Sequence, residues 1–500
     1  MKAQAGILVV VAFGIGLFSR SAVPGTPGTG LALASMATGA WLLFHSLRPW
    51  WSTRAQAVLR LWGLTWTRDE VCCHFFITGA TGTGKTARAV VPIIHGLRST
   101  LRQTGIMAVD SKGALWRPMA EIAKALGQES DLRLIRVRPA HIPVKEWIPP
   151  LRLNLLEDKT VPWSSYAKMI VDTATAAGQK GGQTFFKEAA RDLITHAMQA
   201  LDLLQEPVTL EAAYDAICST LRMKWLRDKL GILAEANEPR SEAAKVEVQY
   251  FSDFLKQPVD QRGGTVSTVA NYLRPYTPPD IAQVFCSKEP NFSLKEVDQG
   301  RLICLSVPQT FQLERKYLNL LCKQLFFLHA FRRFDLVSEE MRRRNVIVLV
   351  LDEGQKTTLV SEDGFADHTS VDELREAGVC LISATQTPLS LYASFETQTK
   401  ADVFMANLRT QIHFRAADEQ GAKILSEKMG GREGKKFSGG YAGGAPTTGW
   451  QLQDIPWFKP AELQALPEGR AIVRHPNNCG RPCRLKLPNT EFTRRNELFQ

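Results

Sequence analysis

The chain has 500 residues, of which 44% are hydrophobic and 22% are charged. This composition excludes a largely disordered protein, and the length exceeds what one hydrophobic core usually serves, so we expect at least two folded units. Nine cysteines without regular spacing exclude a disulfide framework and favour a reduced, cytoplasmic main body. The net charge of +11 is weak evidence for nucleic-acid binding, because the first 68 residues alone hold six basic residues and no acidic one.

Two uncharged, apolar segments lie near the amino terminus, at residues 3–19 and 28–47. The second is long enough for a helix to cross a bilayer, the first is slightly shorter, and two prolines lie in the turn between them. Lys2 precedes the first segment and four arginines follow the second, so the positive-inside rule places both ends in the cytoplasm. We expect a transmembrane helical hairpin over residues 1–50; the alternative is a secretory signal at residues 1–22.

A phosphate-binding loop follows the apolar run at residues 72–78 and precedes a helical pattern. Its residues are Gly79, Ala80, Thr81, Gly82, Thr83, Gly84, Lys85 and Thr86. This is G-x-x-x-x-G-K-T between a strand and a helix, in which the glycines let backbone N–H groups surround phosphates. We expect Lys85 to reach the β- and γ-phosphates and the Thr86 hydroxyl to bind Mg²⁺. The loop therefore predicts ATP and Mg²⁺ as ligands.

A second apolar run, residues 346–351, is typical of a strand buried on both faces, and it ends in Asp352 and Glu353. An acid at the carboxyl end of such a strand can hold Mg²⁺, and its neighbour can polarise the water that attacks the γ-phosphate. We therefore assign Asp352 to the metal and Glu353 to catalysis. The alternative is that both acids only cap the next helix.

Gln386 and Arg375 are two further catalytic candidates. Gln386 follows a third strand, predicted at residues 378–383, where a polar side chain can sense the γ-phosphate; the alternative is a hydrogen bond within a turn. Arg375 lies in an apparent helix that ends at Gly378. It could reach the ATP of an adjacent subunit as an arginine finger, or it could pair with the nearby glutamates on the surface.

Five more apolar runs between turn signals predict strands at residues 105–109, 132–137, 302–307, 412–414 and 471–473. Strands that alternate with helical patterns indicate an α/β fold with a mostly parallel sheet. Residues 160–275 instead carry successive helical patterns, and the glycine-rich residues 430–449 predict a mobile loop. We predict a RecA-like P-loop NTPase core with an inserted all-helical domain. The predicted limits are an anchor at 1–50, nucleotide-binding domain at 51–158 and 276–485, the insertion at 159–275, and a tail at 486–500.

Six motifs follow one another along the predicted cytoplasmic part. They are the loop at residues 78–86, Asp-Ser-Lys-Gly at 110–113, Arg-Leu-Asn-Leu-Leu at 152–156, Leu-Asp-Glu-Gly at 351–354, Arg-Glu-Ala-Gly at 375–378 and Ile-Leu-Ser-Glu-Lys-Met-Gly at 424–430. With these motifs, the chain from about residue 75 to residue 476 resembles the type IV secretion coupling proteins, the conjugative ATPases of the TraG/TraD kind. The order and spacing of the motifs are more specific than any one of them. Ala114 stands where many members have an acid after Asp-x-Lys-Gly, so we assign no catalytic role to that motif.

The resemblance implies a two-pass motor of the bacterial inner membrane, commonly a ring of six identical subunits. Such a motor delivers DNA, bound largely without regard to sequence, together with relaxase or other relaxosome proteins into a type IV secretion channel. It also implies that the helical insertion helps to recognise the substrate complex. Two alternatives stay open: a coupling ATPase for protein effectors only, and a membrane-anchored scaffold that binds ATP as a structural ligand.

Overall fold

The computed structural model describes residues 56–139, 141–179, 184–337, 339–340, 344–442, 445–477 and 481–490. The predicted transmembrane hairpin lies outside these residues. Within them, no helix combines the length and the apolar character that a membrane crossing requires. The chain divides into two compact units, Met1–Val71 and Cys72–Gln500.

The described part of the first unit is a small hairpin followed by one helical turn. Its elements are β1 (Ala57–Leu61), β2 (Leu64–Thr67) and α1 (Arg68–Val71). Trp62 and Gly63 form the two-residue turn, and both have a positive φ, which matches the twist of antiparallel strands. Trp66 is fully buried.

The second unit contains a mixed sheet of nine strands among the described residues. They are β3 (Phe75–Thr78), β4 (Gly105–Asp110), β5 (Leu132–Arg136), β6 (Leu302–Ser306), β7 (Ile347–Asp352), β8 (Val379–Thr385), β9 (Thr410–His413), β12 (Arg470–Arg474) and β13 (Cys483–Lys486). Their order is β13-β12-β9-β3-β8-β7-β4-β6-β5. The strands from β9 to β5 are parallel, and β12 runs antiparallel to both neighbours. The predicted α/β class and the eight predicted strands are confirmed; β13 is an addition.

Burial on both faces explains why the central strands are continuous apolar runs. Every residue of β3, β4, β7 and β8 is buried, because helices cover both sides of a parallel sheet. The helices that connect the strands are α2 (Val91–Thr100), α3 (Trp116–Ala125), α11 (Gln312–Phe331), α12 (Asp367–Glu376), α13 (Pro388–Ser394), α14 (Gln398–Asn407), α15 (Glu419–Met429) and α16 (Pro460–Gln464).

Between β5 and β6 the described residues form a run of helices. They are α4 (Trp163–Ala177), α5 (Thr184–Leu203), α6 (Leu210–Cys218), α7 (Thr220–Glu235), α8 (Ser241–Lys256), α9 (Val259–Leu273) and α10 (Pro279–Phe285). The helical character predicted for this region is present. The helices share one buried apolar cluster with the sheet, and residues 72–500 form one unit, so the domain limits at residues 158 and 275 stay predictions.

The glycine-rich segment is a two-stranded ribbon rather than a loop. Strands β10 (Gly431–Ala442) and β11 (Ala445–Pro456) pair antiparallel, separately from the nine-stranded sheet. The prediction of a loop over residues 430–449 was therefore wrong. Backbone hydrogen bonds between two strands need no apolar side chains, so a glycine-rich composition does not prevent the pairing.

Candidate nucleotide-binding site

Four strands of the parallel sheet bring their carboxyl ends, and the residues that follow them, to one edge. Thr78 at the end of β3 leads into the phosphate-binding loop, and it lies beside Thr385 at the end of β8. Asp352 ends β7 and pairs in register with Asp110, which ends β4. Parallel strands end at the same edge of a sheet, which is where ligands bind in folds of this class.

The phosphate-binding loop has a backbone that glycine permits. Gly82 and Gly84 have φ of 81° and 90°, a region that other residues rarely adopt. At Gly84 a Cβ would also lie 2.6 Å from the Arg88 side chain. The Ala80 N–H donates to the Arg415 carbonyl at 2.8 Å, which fixes the loop to the end of β9. The loop is thus held in a turned conformation by its own backbone contacts.

A helix begins directly after the loop. Thr86–Val90 forms a π-helical turn that continues into α2, and Pro92 is the second residue of α2. The free N–H groups and the positive end of the helix dipole at such a start attract anions. The backbone of residues 79–86 therefore has a shape suited to a phosphate group, and nucleotide binding by these residues stays a prediction.

Lys85 is folded back over this loop. Its Nζ donates to the Gly79 carbonyl at 2.6 Å and to the Ala80 carbonyl at 3.2 Å, and the residue is only 8% exposed. Burial lowers the pKa of Lys85, and the charge of Glu353 acts in the opposite direction. Two neutral carbonyls hold a buried ammonium here, an arrangement that fits a ligand phosphate in the loop.

Asp352 has a carboxylate with no hydrogen bond from any residue in the described ranges. Burial, and then repulsion from Asp110 and Glu353, raises the pKa of Asp352 to about 6. A divalent cation would offset this accumulated negative charge, so the donor set fits Mg²⁺. No cluster of three or more His, Cys, Asp or Glu side chains suited to a metal occurs in the described ranges. Mg²⁺ at a phosphate site does not need such a cluster, because it binds only one or two protein oxygens and takes its other ligands from water and phosphate.

Glu353 sits in a strained backbone conformation, with φ 58° and ψ 54°. A left-handed conformation costs a residue with a side chain about 1–2 kcal/mol, and such strain is found at functional sites. The carboxylate accepts hydrogen bonds from Lys112 Nζ at 2.8 Å, Gln355 Nε2 at 2.7 Å and Gln386 Nε2 at 3.4 Å. Burial acts to raise the pKa of Glu353, but these hydrogen bonds and the Lys112 charge outweigh it, so the pKa is lowered.

The structure places the two remaining candidates in different regions. Gln386 follows β8 and contacts Glu353, so it belongs to the same site. Arg375 is exposed in the last turn of α12, just before the amino end of β8. Burial is the main cause that lowers the pKa of His74, which precedes β3, and the charge of Arg375 contributes to this lowering. Arg375 therefore lies at the opposite edge of the sheet from the loop of its own subunit. In the described ranges it forms no ion pair with a glutamate, and its role towards an adjacent subunit stays a prediction.

Sequence reasoning missed Lys112 and Asp110 as members of the site. The Asp110 carboxylate accepts hydrogen bonds from the backbone N–H groups of Lys112 at 2.7 Å, Ala114 at 2.5 Å and Leu115 at 2.6 Å. These bonds shape the turn that aims Lys112 at Glu353. The available signal was an aspartate at the end of an apolar strand, the same pattern that identified Asp352.

Comparison with known proteins decides the family. The model of the family described as "Type IV secretory system Conjugative DNA transfer" matches residues 53–484. The chain belongs to this family. The resemblance found in the sequence motifs is thereby confirmed.

Solved structures of the bacterial conjugative coupling protein TrwB have a similar fold. The unbound form without its first 70 residues has a TM-score of 0.60 and 15% identity, and the match covers 88% of this chain and 90% of that chain. TrwB in complex with ADP and Mg²⁺ has a TM-score of 0.58 at 15% identity, and TrwB in complex with the non-hydrolysable ATP analogue ADPNP has 0.58 at 14%; both matches cover 87% and 90%. The comparison with curated proteins found no match.

Proposed function

We propose that this chain is a membrane-anchored ATPase that couples ATP hydrolysis to the delivery of DNA, alone or with attached protein, into a type IV secretion channel. Membership of the conjugative DNA transfer family supports the process. The observation that carries the ATPase activity is the convergence of the phosphate-binding loop, Asp352 and Glu353 at one edge of the sheet. TrwB, which shares the fold, has been solved in complex with ADP and Mg²⁺ and in complex with a non-hydrolysable ATP analogue.

Each residue has one task in the proposed mechanism. The loop N–H groups and Lys85 hold the β- and γ-phosphates, while the Thr86 hydroxyl and the Asp352 carboxylate hold Mg²⁺. When bound, Mg²⁺ would neutralise part of the negative charge of the phosphates. Glu353 orients the attacking water and accepts its proton at a carboxylate oxygen. Gln386, which contacts Glu353, binds near the γ-phosphate and changes the conformation of the loops after β8 when this phosphate is present.

The proposed assembly follows from the same family. Residues 1–50 anchor the chain in the bacterial inner membrane by two passes, with the ATPase body in the cytoplasm. Six subunits form a ring in which Arg375 acts on the ATP of its neighbour, and the exposed position of Arg375 away from its own loop supports this arrangement. Relaxase, other relaxosome proteins and the secretion channel are the partners. Transport of protein effectors alone and a structural role for ATP remain the alternative functions.

Phosphate release by the full-length protein tests the proposal. We expect Mg²⁺-dependent ATP hydrolysis that increases when DNA is added. Lys85→Ala should lose nucleotide binding or turnover, whereas Glu353→Gln should bind ATP and hydrolyse it about 100-fold or more slowly. Hydrolysis by Glu353→Gln at the parental rate would refute the assignment of Glu353. Hydrolysis that protein effectors stimulate and DNA does not would favour the first alternative.

Reporter fusions test the anchor. A phosphatase fused after Thr26 should be active outside the cytoplasm, and one fused after Arg68 should be inactive. Activity after Arg68 would favour the secretory signal instead.

A further inference from the structure

A cavity with a volume of about 540 Å³ lies beside the residues that hold Glu353. We call it the basic pocket, and the residues that line it include Ser111, Lys112, Arg315, Lys316, Asn319, Gln355 and Lys356. Lys112 and Gln355 both line this pocket and both hold the Glu353 carboxylate. The pocket has the size of a ligand site, and two of its side chains touch the proposed base.

The charge of the basic pocket is one-sided. Four of its side chains are cationic, and no Asp or Glu is among the described residues that line it. Arg315 is only 5% exposed, and its guanidinium donates to the Val307 carbonyl and to Gln309 Oε1. It has no ion pair in the described part of the chain. Buried cations are normally paired, so this arginine is suited to an anion that enters the pocket.

Three buried polar atoms in the same lining lack a hydrogen-bond partner. They are Ser111 Oγ, Asn319 Oδ1 and Gln355 Oε1. Asn319 is 2% exposed, and its Nδ2 donates to the Asp110 carbonyl at 3.1 Å, which fixes how its amide is turned. Buried polar atoms in folded proteins are nearly always satisfied, so these atoms indicate that the cavity holds a polar ligand or water. The Ser111 hydroxyl can donate to a phosphate oxygen, whereas the two amide oxygens can only accept from a donor such as water.

The backbone of Lys112 is held by two hydrogen bonds, whereas its side chain has a single ion pair in the part of the chain that the structure describes and is half exposed. Its N–H donates to Asp110, and its carbonyl accepts from Gln309 Nε2 at 2.5 Å. Its side chain is half exposed, and its only ion pair within the described ranges is with Glu353. A lysine side chain has four flexible carbons and can exchange a carboxylate for a phosphate without movement of the main chain. While the ion pair is closed, Lys112 Nζ lies 2.8 Å from Glu353 Oε1 and occupies an oxygen that would otherwise hold the attacking water.

We propose that the basic pocket binds a phosphodiester group of the nucleic-acid substrate, and that Lys112 then moves from Glu353 to this phosphate and frees Glu353 for hydrolysis. This inference rests on the proposed function, in which ATP hydrolysis moves DNA. In the absence of DNA, Lys112 restrains the base and hydrolysis is slow. When DNA enters, the restraint is lifted, so ATP is consumed mainly when there is substrate to move. Phosphate recognition carries no sequence information, as a general DNA motor requires.

The experiment measures ATP hydrolysis by the full-length protein against the concentration of a 20-nucleotide single-stranded oligonucleotide. The variants are Lys112→Gln, which removes the ion pair, and Lys356→Gln, which removes an exposed charge of the pocket. Lys423→Gln is the matched control, because Lys423 is an exposed lysine outside the pocket that pairs with Glu419. An oligonucleotide of the same sequence with an uncharged methylphosphonate backbone tests whether phosphate charge is read.

We expect Lys112→Gln to hydrolyse ATP about tenfold faster than the parent without DNA, because the restrained base is released, and to respond little to DNA. Lys356→Gln should need about three- to tenfold more oligonucleotide for half-maximal stimulation, with a shallower dependence on salt. The methylphosphonate oligonucleotide should stimulate weakly, and Lys423→Gln should match the parent.

Three results would contradict the inference. If Lys112→Gln lowers the rate equally with and without DNA, Lys112 supports Glu353 rather than restrains it. If the parental stimulation by DNA persists in both pocket variants, DNA acts elsewhere, and the inference fails while the proposed function stands. If DNA fails to stimulate the parent protein at all, the proposed function itself is contradicted, and the part of the inference that concerns DNA fails with it.

Discussion

Buried charges of the second unit are satisfied in one way at the carboxyl edge of the sheet and in another way at two places elsewhere. At the amino edge of the sheet, the fully buried Arg98 donates to Asp131 at 2.8 Å, Gln128 at 2.9 Å and the Thr104 carbonyl at 2.9 Å. Between α11 and α12, the fully buried Lys323 donates to Asp367 at 2.6 Å and to a backbone carbonyl. In these places the chain itself supplies every charge with its partner.

At the carboxyl edge of the sheet, by comparison, several charged side chains among the described residues lack an oppositely charged or hydrogen-bonded partner. Asp352 lacks a hydrogen-bond donor and Arg315 lacks a carboxylate within the described ranges, while Lys85 is held only by carbonyls. Glu353 has a strained backbone. Charges that stabilise the fold are matched by other residues, whereas charges at this edge fit phosphates and Mg²⁺. The carboxyl edge therefore reduces the stability of the free protein, as functional sites often do.

The largest effect should come from Arg375, because it would complete the site from another subunit. Arg375→Ala should lower hydrolysis by about 10³–10⁵, as arginine fingers typically do. Arg375→Ala subunits keep an intact phosphate-binding loop, and Lys85→Ala subunits keep an intact finger. Mixed together, two inactive proteins should regain part of the activity at their shared interfaces. If the mixture fails to complement, or if Arg375→Ala has normal activity, Arg375 is a surface residue without a role in hydrolysis.

The next largest effect is expected at the buried ion pair between Lys323 and Asp367. Lys323→Met should lower the free energy of unfolding by about 3–5 kcal/mol, because it leaves the Asp367 carboxylate buried without a cation. Urea denaturation measures the loss. The double variant Lys323→Met/Asp367→Asn, in which no uncompensated charge remains, should recover much of it. Equal stability of the single variant and the parent would show that this pair does not differ from the carboxyl edge as described.

A smaller effect of opposite sign is expected at Asp352. The pKa of an unfolded aspartate is about 3.9, and in the folded protein it is raised to about 6. Between these values the unfolded chain ionises first, so stability falls as the pH rises from about 4 to 6, and the full cost applies above pH 6. Asp352→Asn should therefore be more stable than the parent at pH 8 by up to about 3 kcal/mol, and the difference should shrink towards pH 5.

Asp335→Asn provides the matched control for that measurement, since Asp335 is an exposed aspartate. Its stability should follow that of the parent at every pH. A destabilised Asp352→Asn protein at pH 8 would mean that the Asp352 charge is already compensated within the chain.

The strands could be predicted because burial on both faces leaves a direct trace in the sequence. Residues 346–351 read as an apolar run, and the structure has β7 at Ile347–Asp352. Helix α9 lies in the region whose helical character was predicted, although Gly263 and Gly264 occupy its interior. The structure gives the reason at Gly264, where a Cβ would lie 2.7 Å from the Phe186 ring. Close packing between two helices required a glycine that local propensity disfavours.

The site residues could be predicted where they are contiguous in the sequence, and they could not be predicted where only folding brings distant residues together. The loop at residues 79–86 is contiguous, so its role follows from the sequence. Lys112 and Glu353 are separated by 241 positions, and only the parallel pairing of β4 with β7 brings them together. The one-sided charge of the basic pocket has the same origin, because its cations come from three separate segments.

The most direct test of the central claim is the thermal stability of the full-length protein with Mg²⁺ and a non-hydrolysable ATP analogue. If the carboxyl edge is completed by this ligand, the parent should be stabilised by about 2.7 kcal/mol at 100 times the dissociation constant, and only when metal and nucleotide are both present. Lys85→Ala should show little of this gain, while Lys423→Gln should show all of it. Equal stabilisation of Lys85→Ala and the parent, or none in the parent, would contradict the account.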